Sequence, residues 1–221
     1  MPRNDYQQQL ESLREEVVAM GEAVLERYDD ALRALESKDE QLAREVIESD
    51  HEINELYLEL EGDCIDLFAL QQPVAGDLRF ITASFKIITD LERVADLATN
   101  LGDYALWAER TRYPDIDVIH IGEQAGTMLQ RAIAAYEVSD ADAAREIPPH
   151  DDEIDALCET ASERVVDDLL RTEYCDETGD VVDDVSRLLL TIRDVERIGD
   201  HAVNVAGRTV YAVEGDTELV Y

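Results

Sequence analysis

The sequence predicts an all-α protein, built as two tandem three-helix bundles. Three observations carry that prediction. Apolar residues recur at three- and four-residue spacing throughout, and no long stretch alternates as a strand does. Ala, Leu and Glu are abundant and only 6% of residues are aromatic, a balance that favours helix over sheet. The chain also repeats itself: residues 34–46 match 135–147, and 50–56 match 151–157, at one constant offset. Three extra residues enter near 175–179, after which 90–96 match 194–200 and Asn100 matches Asn204.

Each half reads as three helices. The first half gives 5–36, 39–70 and 74–110. Its first break is Ser37-Lys38-Asp39; its second is Gln71-Gln72-Pro73, with proline where a helix can start but cannot continue. The second half gives 115–138, 141–174 and 180–214, with Pro114 between the halves, so the units are 1–113 and 114–221. Pro148-Pro149 falls inside the fifth helix by the repeat, which predicts a kink there or a helix that starts afresh near His150. The last residues, 215–221, are expected to fray. Helices this long with short turns pack as antiparallel neighbours.

Charge narrows the function. There are 53 acidic residues against 19 basic, a formal net charge of −34, and only Lys38 and Lys86 are lysines. Nucleic acid is a poor partner for such a surface, because phosphates need basic residues to neutralise them, and an anionic membrane is disfavoured likewise. The acid is spread along the chain, which reads as a solvated surface adapted to high salt in preference to one docking face for a basic partner. The cysteines Cys64, Cys158 and Cys175 form no CxxC pair and read as buried small hydrophobes of a reducing compartment. No apolar run has the length of a membrane span and the N-terminus does not read as a signal peptide, so the expected location is the cytoplasm, without membrane insertion.

The informative positions lie on the third helix of each half. Leu78, Ile81, Phe85 and Ile88 form one stripe, and Glu92 and Asp96 continue it; Val182, Val185, Leu189 and Ile192 form another, continued by Glu196 and Asp200. Carboxylates on a core-facing stripe are costly unless something neutralises them, and here the same break occurs twice. Side chains at i and i+4 lie about 5–6 Å apart at Cβ, so each pair can reach one cation. Hard oxygen ligands suit Mg²⁺, Mn²⁺, Ca²⁺ or iron. Asn100 and Asn204 extend the face by a turn, and Asp50 with Asn54, and Asp151 with Asp155, stand at the same spacing on the preceding helices. The competing reading is ion pairing on a solvated face, since Arg93 and Arg197 stand three residues before Asp96 and Asp200. The single E-x-x-H, Glu48 and His51, has no counterpart in the second half, and His201 points off the carboxylate face by one helical step. No glycine-rich phosphate loop, nucleophile motif or zinc-type spacing occurs.

The segments 72–79, 90–96 with Asn100, and 194–204 resemble the first-half and second-half signatures of the PhoU family, over nearly the whole chain. The resemblance implies two tandem three-helix bundles related by pseudo-twofold symmetry, with metal clusters on E/D-x-x-x-D motifs, here Glu92/Asp96 and Glu196/Asp200. Iron, zinc, manganese and magnesium are associated with the family. It further implies a non-enzymatic negative regulator of the phosphate regulon, working with the ATPase of the phosphate ABC transporter and, in many bacteria, with a sensor histidine kinase; dimers are common. Val94-Ala95 and Asn54 stand where the second half has Ile198-Gly199 and Asp155, so a weaker first site is expected. The alternative from another class is a di-metal carboxylate redox enzyme or metal store using the same residues.

Overall fold

The computed structural model describes residues 3–70, 74–107, 116–171 and 178–219. These residues form helices α1 (Arg3–Ser37), α2 (Glu40–Glu48), α3 (Asp50–Leu70), α4 (Ala75–Leu106), α5 (Val118–Glu137), α6 (Ala141–Arg145), α7 (Pro148–Arg171) and α8 (Thr178–Glu214), and among them no strand. The turns around Pro73, Pro114 and Cys175, and with them the division between the two units, lie outside the described residues.

The repeat is visible in the backbone. Lys38 and Ser139, at equivalent positions, both take φ 55 at the ends of α1 and α5. The next residue then caps the following helix: the Asp39 carboxylate accepts from the amides of Gln41 and Leu42, and Asp140 from those of Asp142 and Ala143. The fifth predicted helix ends and restarts at Pro148, as the prolines require. The second predicted helix also breaks, at Ser49, which its sequence does not announce. There the Arg27 guanidinium takes the Ser49 carbonyl, and the Ser49 hydroxyl turns back to the Val46 carbonyl at 3.2 Å. The Ser49 carbonyl also accepts from the Glu52 amide at 3.1 Å, a three-residue bond in place of the four-residue ladder.

The two bundles are fused. α1 packs on α4 and α5, α4 packs on α8, and one apolar cluster runs through both halves. The contacts between halves are reciprocal. A Cβ on Gly21 would lie 2.8 Å from Ile133 Cδ1, and one on Gly122 would lie 2.7 Å from Leu32 Cδ2. Gly21 is equivalent to Gly122 and Leu32 to Ile133, so each α1–α5 contact is the image of the other about a pseudo-twofold axis. α4 and α8 cross the same axis: Asn100 donates to Asp194 at 3.3 Å, and its equivalent Asn204 donates to Asp90, the equivalent of Asp194, at 3.1 Å.

Two expectations are corrected. Leu78 and Val182, read as the first residues of the core stripes, are exposed, whereas Ile81, Ile88, Val185 and Ile192 are buried. Of residues 215–221, expected to fray, 215–219 fold back on the bundle: Gly215 takes φ 75 and donates to the Tyr211 carbonyl at 2.9 Å, and Leu219 lies on Gly207, while 220 and 221 lie outside the described residues. Arg145 holds this turn through Glu214 and Asp216. No helix among the described residues is long and apolar enough to cross a membrane.

Candidate metal centres

Each carboxylate set lies at the margin of the core, where the third helix of a half meets the first turn of the preceding long helix. Glu92, Asp96 and Glu196 are half-buried and Asp200 is exposed. Their drift outward follows from helix geometry. Two successive four-residue steps from Ile88 or Ile192 each carry the side chain about 40° round the helix, because a turn holds about 3.6 residues. The residues facing the core at this level are Leu91, Val94, Ala95 and Ala98 on α4, and Val195, Ile198 and Ala202 on α8.

In the second half, Asp151 and Asp155 of α7 face Glu196 and Asp200 of α8. Burial first, then the charges of Asp155, Asp200, Asp152 and Glu196, push the Asp151 carboxyl up to about 7. Burial and the neighbouring carboxylates raise Asp155 and Glu196 as well. Asp151 Oδ1 is buried without a hydrogen-bond partner. It occupies the space left by a glycine: a Cβ at position 199 would lie 2.6 Å from it. The free thiol of Cys158, buried below, is pushed up to about 12 by burial and then by Glu196, Asp155 and Asp151.

In the first half the equivalent acid is partnered. Asp50 accepts from Asn54 Nδ2 at 2.8 Å and from the Thr99 hydroxyl at 3.2 Å, and Arg27 Nη1 stands 3.9 Å away. Arg93 bridges the other two carboxylates, with Nη1 3.0 Å from Asp96 and Nε 3.5 Å from Glu92. Burial, then Asp96, raises Glu92.

Asn100 and Asn204 turn their amide nitrogens away from the Glu/Asp pairs and across the α4–α8 contact, to Asp194 and Asp90. His201 joins the same contact, with Nδ1 2.9 Å from Asp90, and its charge bears on Glu92 of the other half. His51 is exposed and rests on the Glu48 carbonyl at 2.8 Å, so the single E-x-x-H faces solvent. The residues missed from the sequence are Thr99 and Arg27, whereas Gly199 was marked by its difference from Ala95 within the repeat. Arg27 was hidden because α1 makes its contact from outside the motif.

The second-half set has the chemistry for a hard divalent cation: four carboxylates, an orphaned buried oxygen, and a cradle that a Cβ would fill. Asp151, Asp155, Glu196 and Asp200 would hold it. Among the described residues, no three His, Cys, Asp or Glu side chains already converge as a ligand set, so an ion would draw the carboxylates inward.

A PhoU domain model matches residues 17–105 and again 118–209, one match per half. A phosphate-specific transport system accessory protein PhoU homolog of Pseudomonas aeruginosa is 34% identical over 94% of this chain and 84% of its own. One from Clostridium acetobutylicum is 32% identical over 97% of each. The crystal structure of PhoU from Pseudomonas aeruginosa superposes with a TM-score of 0.88 at 32% identity, over 96% of this chain and 100% of that one.

Proposed function

The chain belongs to the PhoU family, and on that premise we propose that it is an accessory regulator of phosphate uptake that acts by binding proteins and carries out no turnover. The observation that carries this is the extent of the match: the PhoU domain occurs twice, once per half, and the relatives are matched nearly end to end. Its target is the ATPase of a phosphate ABC transporter, which it restrains when phosphate is plentiful. A metal at the carboxylate sets would serve structure. It would neutralise acids that two helices of a bundle bring together, and so fix α7 against α8.

Within that reading the chain's own residues divide the work. The α1–α5 and α4–α8 contacts hold the halves as one rigid body. Asp151, Asp155, Glu196 and Asp200 would take the cation, with Gly199 keeping the space beside Asp151 open.

The test is recovery of the transporter ATPase with the tagged protein from its own cells, grown in low and in high phosphate, at the salt of those cells. ATPase that accompanies the protein, more at high phosphate, is the expected result. Its absence in both states would remove the regulatory assignment.

A further inference from the structure

We propose that the two carboxylate sets are not equivalent: the second half holds the tight divalent-cation site, and in the first half the Arg27 and Arg93 guanidinium groups stand in for the cation. This rests on the metal reading above and goes beyond it by assigning the ion to one half.

The repeat makes the comparison residue by residue. Asp50 is equivalent to Asp151, Asn54 to Asp155, Ala95 to Gly199, Thr99 to Val203 and Arg27 to Met128. At three of these pairs, Asn54, Thr99 and Arg27, the first half has the residue that supplies a donor or a positive charge. Arg27 is 7% exposed, and lies beside Asp50 and Glu52 at 3.9 and 4.0 Å. Met128 is 2% exposed and stands in the same place against Asp151: the Gly199 Cβ position lies 3.5 Å from its Cε and 2.6 Å from Asp151 Oδ1. A thioether methyl cannot neutralise a carboxylate. Asn54 donates to Asp50, whereas Asp155 adds a second negative charge beside Asp151. Thr99 donates to Asp50, whereas Val203 has nothing to donate. Arg93 is paired with Glu92 and Asp96, whereas no described ion pair joins Arg197 to Glu196 or Asp200.

The first half therefore has three carboxylates and two guanidinium groups, and an entering divalent ion must displace or repel fixed positive charge. The second half has four carboxylates and no side-chain cation within contact among the described residues, and its Asp151 Oδ1 lacks any partner. Coulomb attraction for an added ion is greater there, and the orphaned oxygen gains its first ligand interaction on binding.

The experiment is titration of the full chain with Mn²⁺ in high-salt buffer, followed by calorimetry and by the electron paramagnetic signal of free Mn²⁺. Glu196→Gln with Asp200→Asn should weaken the tight component about tenfold or more, and Glu92→Gln with Asp96→Asn should leave it within about twofold. Exchanging the discriminating pair supplies the second arm. Met128→Arg should abolish tight binding, and Arg27→Met should create a second tight class of sites, each checked for a native helical spectrum. Equal losses from the two carboxylate pairs would overturn the inequality while leaving the metal reading intact. No Mn²⁺ binding by the unaltered protein would remove both.

Discussion

Asp194 offers the sharpest test of how the halves are joined. Its side chain is fully buried, and it accepts from the Tyr104 hydroxyl at 2.9 Å and from Asn100 Nδ2 at 3.3 Å, both on α4 of the other half. Arg193 adds Nη2 at 3.1 Å, but that guanidinium is 58% exposed and contributes little. Hydrogen bonds to a charged acceptor contribute about 1.5–3 kcal/mol each, and removal of the acceptor also orphans the two donors. Asp194→Ala should therefore destabilise the protein by about 3–5 kcal/mol. For a chain of this size that lowers the melting temperature by roughly 10 °C, since each kcal/mol shifts it about 2–4 °C. Asn100→Ala alone should cost less, and the double variant should fall short of additivity by about 1–2 kcal/mol. The assay is urea unfolding at constant high salt with chelator present, so that metal does not enter. The mirror variant Asp90→Ala should cost less than Asp194→Ala, because Asp90 keeps 15% exposure and water can replace part of what is lost. A loss below about 1 kcal/mol for Asp194→Ala, or strict additivity with Asn100→Ala, would refute the lock between α4 and α8.

Other outcomes follow from the same contacts. Gly21→Ala and Gly122→Ala each place a methyl against the end of a branched side chain on the opposite helix, and should cost about 1–3 kcal/mol each by chemical denaturation. Ile133→Val should recover part of the first loss and none of the second. Gly199→Ala should displace the Asp151 carboxylate and weaken Mn²⁺ binding in calorimetry, with little change in the helical spectrum. Thermal stability should rise with salt from ~0.1 M to ~1 M KCl, as the screening length shrinks from about 10 Å to about 3 Å across a surface of net charge −34. A flat or falling salt response would remove the reading of the acid as a high-salt adaptation.

Periodicity and repetition made the fold legible, because both are properties of the sequence at short range. The caps Asp39 and Asp140 and the prolines at 148 and 149 carry their meaning locally. The break at Ser49 does not: nothing between Val46 and Asp50 announces it, and the Arg27 guanidinium that meets its carbonyl stands more than twenty residues upstream. The carboxylate pairs were placed too deep, because two four-residue steps turn the face about 80° from the stripe that seemed to contain them. Asn100 and Asn204 were read as continuing that face. Their side chains instead cross to the other half, and a partner ninety residues away in sequence leaves no trace in local spacing.

The duplication itself explains why the two sites can differ. A tandem repeat with a pseudo-twofold axis must keep the residues that pack across the axis, because each serves both halves. Gly21 with Gly122, Leu32 with Ile133, and the paired Asp–Asn contacts are of that kind, and they remain equivalent. The carboxylate sets lie off the axis, one on each flank, and neither constrains the other. There the equivalent positions have separated: arginine against methionine, asparagine against aspartate, alanine against glycine, threonine against valine. All four differences act in one direction, supplying positive charge, donors or bulk to the first flank and withholding them from the second. Independent surface drift would scatter such changes between the two sides. Their agreement around one carboxylate is what a division of labour between the halves requires: one flank closed by its own arginines, the other left short of a cation.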